Sequence, residues 1–279
     1  MAKEKLVAPF LKWVGGKRQI MPSIISLMPE NIDDYQYIEP FIGGGAVLFH
    51  LQPNQAILND SNTELINVYK VVKNHFTSLI KDLAKHENTS EYFYSIRNLD
   101  RTEEYKNLTD VQRASRFIYL NKTCYNGLYR VNNAGKFNTP FGKYKNPTII
   151  NESVLKAVSQ FLNENEILLK NSDYESILKS ASPKSFIYLD PPYHPISESS
   201  NFTGYVQGGW NKTDQIRLKE ACDELNSRHI KFLLSNSSSE FIKDLYKDYF
   251  QFTVKASRSI NSKGEKRGEI DEVLIRNYE

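Results

Sequence analysis

The sequence predicts an α/β fold in which a mostly parallel sheet, covered by helices on both faces, is interrupted by an inserted module. Short runs of β-branched and aromatic residues end in polar or Gly/Pro punctuation at "YQYIEP" (35–40), "AILND" (56–60), "ILLKN" (167–171), "FIYLD" (186–190), "IKFLLSN" (230–236) and "EVLIRN" (272–277). Helical patterns lie between many of them: "TELINVYKVVKNHFTSLIKDL" and "TDQIRLKEACDELNSR" repeat apolar residues at i, i+3, i+4 and i+7. Near-continuous apolar strands alternating with helices belong to a parallel sheet buried on both sides. The alternation breaks between residues 62 and 150, where helices give way to "YNGLYRVNNAGKFNTPFGKYKNP". There, Asn, Gly and Pro turn signals separate short aromatic runs, and "VNNAGKF" reads as a hairpin tip. The expected division is a first part of the α/β domain at 1–61, an insert at 62–150 and a second part at 151–279.

At 279 residues, 40% hydrophobic and 25% charged, the chain has the length and composition for a large core in one or two domains. No stretch approaches the ~18 apolar residues of a membrane span. The apolar run "LVAPFLKWV" is short and broken by Lys12, so a cytoplasmic protein is expected. Cys124 and Cys222 form no CxxC pair, and the five histidines show neither HxxxH nor HExxH spacing, so no metal site is expected. The net charge of +3 conceals a local bias: residues 111–151 hold seven Lys or Arg, seven Phe or Tyr, and no Asp or Glu. Basic residues interleaved with aromatics suit a phosphate backbone and stackable bases.

Four motifs carry chemistry. In "EPFIGGGAVLF" (39–49), three glycines between a strand and a helix let the backbone approach a ligand at the carboxyl edge of the sheet. The motif is neither a P-loop nor GxGxxG. The next strand ends in "LND", an offset at which an acidic residue holds a ribose hydroxyl; Asp60 reads as that ligand or as a helix N-cap. In "KWVGGKRQI", Lys17 can neutralise a ligand carboxylate and Trp13 can form an apolar wall, although a core Trp and a surface Lys at a helix entry would read the same way. In "FIYLDPPY", the Asp190 carboxylate and the Pro191 carbonyl are two acceptors that match the two hydrogens of an exocyclic amino group. Pro191 and Pro192 stiffen the turn, and Tyr193 offers a face for a planar base. The plainer reading is a Pro turn with a packing Tyr.

Together and in this order, "KWVGGKR", "EPFIGGGAVLF", "LND", "YNGLYRVNNAGKFNTPFGKYK", "DPPY" and "RSINSKGEKRGEIDEVLIRNY" resemble the Dam-type DNA N6-adenine methyltransferases, most closely the modification methylases of DpnII-type systems. The resemblance runs from Lys12 almost to the end of the chain. It implies a Rossmann-like S-adenosylmethionine-dependent methyltransferase sheet with an inserted helical plus β-hairpin DNA-recognition domain. It also implies S-adenosylmethionine as methyl donor, with Trp13, Lys17, Glu39, Phe41, Gly43, Asp60, Asp173, Tyr174 and Asp190 at cofactor positions. Asp190, Pro191, Pro192 and Tyr193 match the catalytic motif. For DNA, the resemblance implies GATC in double strands. Lys12 would read the first guanine, Leu128 and Pro140 the thymine, and Arg130 the guanine opposite the final cytosine, with Asn138 in the same set. Tyr125 and Asn126 would wedge into the stack left by the flipped adenine. Tyr129 and Thr139 depart from the family's variable pattern and are expected to tune flanking-sequence preference. The implied setting is a monomer acting beside a cognate restriction endonuclease without a stable complex, or an orphan Dam-like methylase.

Arg paired with guanine and apolar contact with a thymine methyl are the expected major-groove pairings. A base inside a duplex must be flipped out to be modified. The same amino-group logic would serve cytosine N4, where Ser more often replaces the Asp before the prolines. A basic aromatic insert would also suit structured RNA or a DNA-binding module without catalysis.

Overall fold

A computed structural model of the chain describes residues 3–195, 210–257 and 269–279. The motif residues 258–268 lie outside the described residues. In chain order the elements are α1 (Met21–Ser26), β1 (Gln36–Glu39), α2 (Ala46–Leu51), β2 (Gln55–Asn59), α3 (Thr63–Asn74), α4 (Phe76–Leu83), α5 (Ser90–Asn98) and α6 (Asp110–Thr123). They continue with α7 (Glu152–Glu164), β3 (Glu166–Lys170), α8 (Tyr174–Ser180), β4 (Ser185–Leu189), α9 (Lys212–Ser227), β5 (Lys231–Ser237), α10 (Glu240–Leu245), β6 (Phe250–Ser257) and β7 (Glu269–Arg276).

The strands form one mixed sheet in the order β3-β2-β1-β4-β5-β7-β6. The first five pair in parallel, and β7 runs antiparallel between β5 and β6. Successive residues feed opposite faces, as the two-residue strand period requires. Tyr37, Phe186, Tyr188, Leu233 and Leu274 enter one core, and Ile38, Ile187, Leu189, Phe232, Leu234 and Ile275 enter the other. The first core is covered by α1, α2, α3 and α7, the second by α8, α9 and α10. This is why the central strands read as continuous apolar runs.

Two sequence expectations change. The pattern at 63–83 is two helices, broken at His75, whose backbone angles of −133° and 33° leave the helical region. The break keeps both apolar stripes buried: Leu65, Val68 and Val72 of α3, and Leu79 and Leu83 of α4. Strand β6 was not anticipated. It alternates Phe252, Val254 and Ala256, partly buried, with polar Gln251, Thr253 and Lys255, the pattern of a half-covered edge strand.

In the segment after α4, a smaller cluster joins Phe93, Tyr119, Leu120, Cys124 and Phe137. "VNNAGKF" does close a hairpin: Val131 bridges Phe137, and the Asn132 N–H donates to the Lys136 carbonyl at 2.9 Å. Asp100 ties this hairpin to the helices. Its buried carboxylate pairs with Arg101 and, at 3.1 Å, with Arg116 of α6, and it accepts from the Phe137 N–H at 2.8 Å. Removing one partner of a buried pair leaves an uncompensated charge. Asp100→Ala, read by urea unfolding, is expected to destabilise the protein by about 3–5 kcal/mol.

Candidate active site

Chain order reverses between β1 and β4, and loops at the carboxyl ends of strands flanking such a point form a crevice. Four sequence-predicted motifs meet there. Glu39 ends β1, Asp60 follows β2, Asp190 follows β4, and the N-terminal segment brings Trp13 and Lys17 across them.

The Asp190 carboxylate is gripped on one oxygen. Lys17 Nζ lies 2.8 Å from Oδ1 and also donates to the Gly15 carbonyl at 2.7 Å. Ser235 Oγ of β5 donates to the same Oδ1 at 3.0 Å. No described residue donates to Oδ2, nor to the Pro191 carbonyl, whereas the Pro192 carbonyl accepts from Gln215 Nε2 at 2.9 Å. Burial raises the Asp190 carboxyl above its ordinary value, while Lys17 and Ser235 pull it back. The Lys17 ammonium also sits 4.8 Å from the centre of the Tyr193 ring, whose hydroxyl donates to Glu272 Oε2 at 2.8 Å. Lys17, expected to face a ligand carboxylate, is therefore the counter-ion of Asp190 here. Such a pair is strengthened by its low-dielectric surroundings.

The glycine loop is also tight against the protein itself. Gly43 has φ of 48°, and a Cβ there would lie 2.6 Å from Trp13 Nε1; a Cβ on Gly44 would lie 2.8 Å from Trp13 Cβ. The close approach is to Trp13, which stacks on Tyr129 at 5.7 Å. Asp60 accepts from the Gly43 N–H at 3.1 Å and the Asn62 N–H at 2.9 Å, and burial pushes its carboxyl up to about 6. The N-cap of α3 is Asn62, so the cap reading of Asp60 fails and its partly exposed carboxyl remains a ligand candidate.

Phe41 and Tyr174 lie 5.2 Å apart, and Trp210 packs on both at 5.7 and 5.8 Å. The Tyr174 hydroxyl and Trp210 Nε1 are buried without a hydrogen-bond partner among the described residues. An aromatic cluster with two buried polar atoms that lack a partner among the described residues has the chemistry an adenosyl group would use. Asp173 caps α8 and pairs with Arg217 at 3.0 Å, which places it at the rim.

After α6, the Tyr125 N–H donates to the Pro140 carbonyl at 2.9 Å, which brings the two halves of the basic aromatic window together. Arg130 Nε donates to Asn138 Oδ1 at 2.7 Å. Lys12 is joined to α6 by a reciprocal pair: its N–H donates to Asn121 Oδ1 at 2.8 Å, and Asn121 Nδ2 donates to its carbonyl at 2.7 Å. The Lys12 ammonium lies 4.5 Å from the Tyr144 ring centre, and the Tyr144 hydroxyl accepts from the Asn126 N–H at 3.0 Å. Leu128 is half-buried beside Arg130, and Tyr125 is exposed. Of the two positions expected to tune flanking-sequence preference, Tyr129 stacks on Trp13 and Phe117, and the buried Thr139 hydroxyl donates to the Leu128 carbonyl at 2.6 Å. Sequence reading missed Ser235, Glu272, Trp210, Asn121 and Tyr144. The polar end of "LLSN" was the one local signal for Ser235.

Glu39 is buried 2.9 Å from the Tyr37 hydroxyl, and burial pushes its carboxyl up to about 8 from 4.5. A carboxyl raised on folding contributes stability that is complete below its unfolded value and lost as pH rises through the folded one. Stability is therefore expected to fall between pH 6 and 8 by up to roughly 1.4 kcal/mol per unit. Glu39→Gln should remove most of that slope in urea unfolding at the two pH values.

The D12 class N6 adenine-specific DNA methyltransferase family matches residues 13–260. A type II methyltransferase, M1.LlaDCHI of Lactococcus lactis subsp. cremoris, is 42% identical over 100% of this chain and 98% of its own length. M.MjaIII, a type II methyltransferase of Methanocaldococcus jannaschii, is 43% identical over 98% of this chain and 99% of its own length. The DNA adenine methylase of Escherichia coli K12 is 34% identical over 95% and 93%. The seven-stranded sheet agrees with a methyltransferase fold using S-adenosylmethionine, the donor this family implies. No helix among the described residues is long and apolar enough to cross a membrane. Motifs, sheet and matches converge: the chain belongs to the D12 class of N6 adenine-specific DNA methyltransferases.

Proposed function

We propose that this DNA adenine-N6 methyltransferase acts on GATC in double-stranded DNA, on an adenine rotated out of the helix into the crevice beside Asp190. The observation that carries the reading is the pair of acceptors at the crevice: Asp190 Oδ2 and the Pro191 carbonyl receive no bond from a described residue, while neighbouring acceptors are engaged. An exocyclic amino group has two hydrogens to donate, and these acceptors receive both. Drawing on both N–H bonds concentrates the nitrogen lone pair, which is otherwise spread into the purine ring. Tyr193 holds the base by its ring face. S-adenosylmethionine, when bound, supplies a methyl group on a sulfonium.

Catalysis by this chain is then positioning and electrostatics. Phe41, Tyr174 and Trp210 enclose the donor's adenine, Asp60 binds its ribose, and Trp13, Lys17, Glu39, Gly43 and Asp173 complete that side. Lys17 favours the ionised form of Asp190 against the effect of burial. No covalent bond to the enzyme is required.

Residues 62–150 serve as the target-recognition module, flanked by the two parts of the catalytic domain. Arg130, steadied by Asn138, contacts the guanine opposite the final cytosine. Leu128 and Pro140 pack on the thymine methyl, and Lys12 reads the first guanine. Exposed Tyr125 and neighbouring Asn126, the latter at φ 55°, stand at the tip and enter the space left by the base. The protein works as a cytoplasmic monomer on one strand at a time. Its role is protection of host DNA beside a restriction endonuclease, a setting supported by similarity to proteins named type II methyltransferases.

The test is transfer of labelled methyl to a duplex with one GATC and to a duplex with GTTC in its place. Label on the first alone, recovered as N6-methyladenine, is expected; equal label on both would overturn the recognition roles of Lys12, Arg130 and Pro140. Asp190→Ala is expected to cut single-turnover transfer by more than about a hundredfold, with cofactor and duplex still bound.

A further inference from the structure

Three polar side chains lie fully buried behind the catalytic loop, surrounded by the apolar core of α9 and β5: Gln215, Ser235 and Asn236. Burying a polar group is costly unless it is hydrogen-bonded. Every one of these is bonded, and the bonds converge on the segment 190–194. Ser235 Oγ donates to Asp190 Oδ1 at 3.0 Å and lies 3.1 Å from the Tyr188 hydroxyl. Gln215 Nε2 donates to the Pro192 carbonyl at 2.9 Å. Asn236 Nδ2 donates to Gln215 Oε1 at 3.1 Å, and its Oδ1 accepts from the His194 N–H at 3.0 Å. A core built only for stability would place apolar side chains here, as β5 does at Phe232, Leu233 and Leu234.

We propose that Ser235, Gln215 and Asn236 are positioning residues for methyl transfer, selecting which carboxylate oxygen and which carbonyl of the loop meet the target amino group. Ser235 and Lys17 together take Oδ1, which turns Oδ2 toward the crevice. Gln215 takes the Pro192 carbonyl and so sets the peptide plane that precedes it, leaving the Pro191 carbonyl for the base. Asn236 locks the Gln215 amide in the orientation that donates to the loop and pins the exit of the loop at His194. The inference rests on Asp190 and the Pro191 carbonyl being the acceptors of the amino group.

The network also predicts a titration signature. The groups facing Asp190 are Lys17 from the N-terminal segment, Glu39 and Tyr37 from β1, Tyr188 from β4 and Tyr193 of the loop, with Glu272 of β7 behind Tyr193. Ser235→Ala removes none of them. It does remove a hydrogen bond that favours the ionised carboxylate, so the Asp190 carboxyl rises further. Gln215→Met removes the bond to Pro192 and touches no charge.

The experiment measures single-turnover methyl transfer to a GATC duplex by the full chain across about pH 5 to 9, with thermal midpoints taken alongside. Both Ser235→Ala and Gln215→Met are expected to lower the transfer rate about ten- to a hundredfold, the range for a bond to a charged group or a lost alignment. Affinities for duplex and cofactor should stay within about twofold. The acid limb of the rate should move to higher pH in Ser235→Ala and stay in place in Gln215→Met. Ser235→Thr, which keeps the hydroxyl, should hold the wild-type limb. An unchanged limb in Ser235→Ala, or losses confined to affinity, would overturn the proposal. Full activity in Asp190→Ala would instead remove the acceptor assignment beneath it, so the two failures are distinguishable.

Discussion

Lys17 lies between the Asp190 carboxylate and the Tyr193 ring, almost completely buried, and the arrangement of the crevice follows from what that ammonium must neutralise. Two carboxyls, Glu39 and Asp190, stand at the adjacent ends of β1 and β4 in a region with little water. One ammonium cannot stabilise two buried anions, and like charges disfavour joint ionisation. The conflict is resolved by unequal treatment. Glu39 accepts from the Tyr37 hydroxyl and burial pushes its carboxyl up to about 8, while Asp190, also raised by burial, takes Lys17 and Ser235, which pull it back toward the ionised form. A carboxylate held by donors on one oxygen is oriented as well as charged, and an oriented acceptor is what an amino group requires.

The same N-terminal segment ties α6 to the crevice. Lys12 is fastened to α6 through Asn121, Trp13 packs on the glycine loop and on Tyr129 of the insert, and Lys17 reaches Asp190. Residues 12–17 thus touch α6 through Lys12, the glycine loop and Tyr129 through Trp13, and Asp190 through Lys17. Tyr129 and Phe117 stack with Trp13 and with each other, so these rings form one packed unit.

Much of this was legible in the sequence because strand ends advertise themselves. Asp190 and Asp60 follow apolar runs, and the window at 111–151 is free of Asp and Glu. Partners distant in sequence were not legible. Lys17 could be read as a cation near a ligand, but nothing local says that it pairs with Asp190. The glycines of 43–45 announce close approach without saying to what; Gly43 and Gly44 lie against Trp13, and Gly45 against Phe49 and Tyr69. Ser235 and Gln215 look like ordinary polar residues until the packing of β5 against α9 aims them at the loop. Helix α3 stops at His75 because tertiary packing overrides a periodicity that continues through it.

The most direct measurement is a crystal structure of the protein with a GATC duplex and a non-reactive analogue of S-adenosylmethionine. The target adenine should lie outside the helix, its N6 within about 3.2 Å of both Asp190 Oδ2 and the Pro191 carbonyl. Ser235 should remain on Oδ1. An adenine bound in the crevice with N6 directed away from Asp190, or met by Oδ1 after loss of the Ser235 bond, would contradict the account.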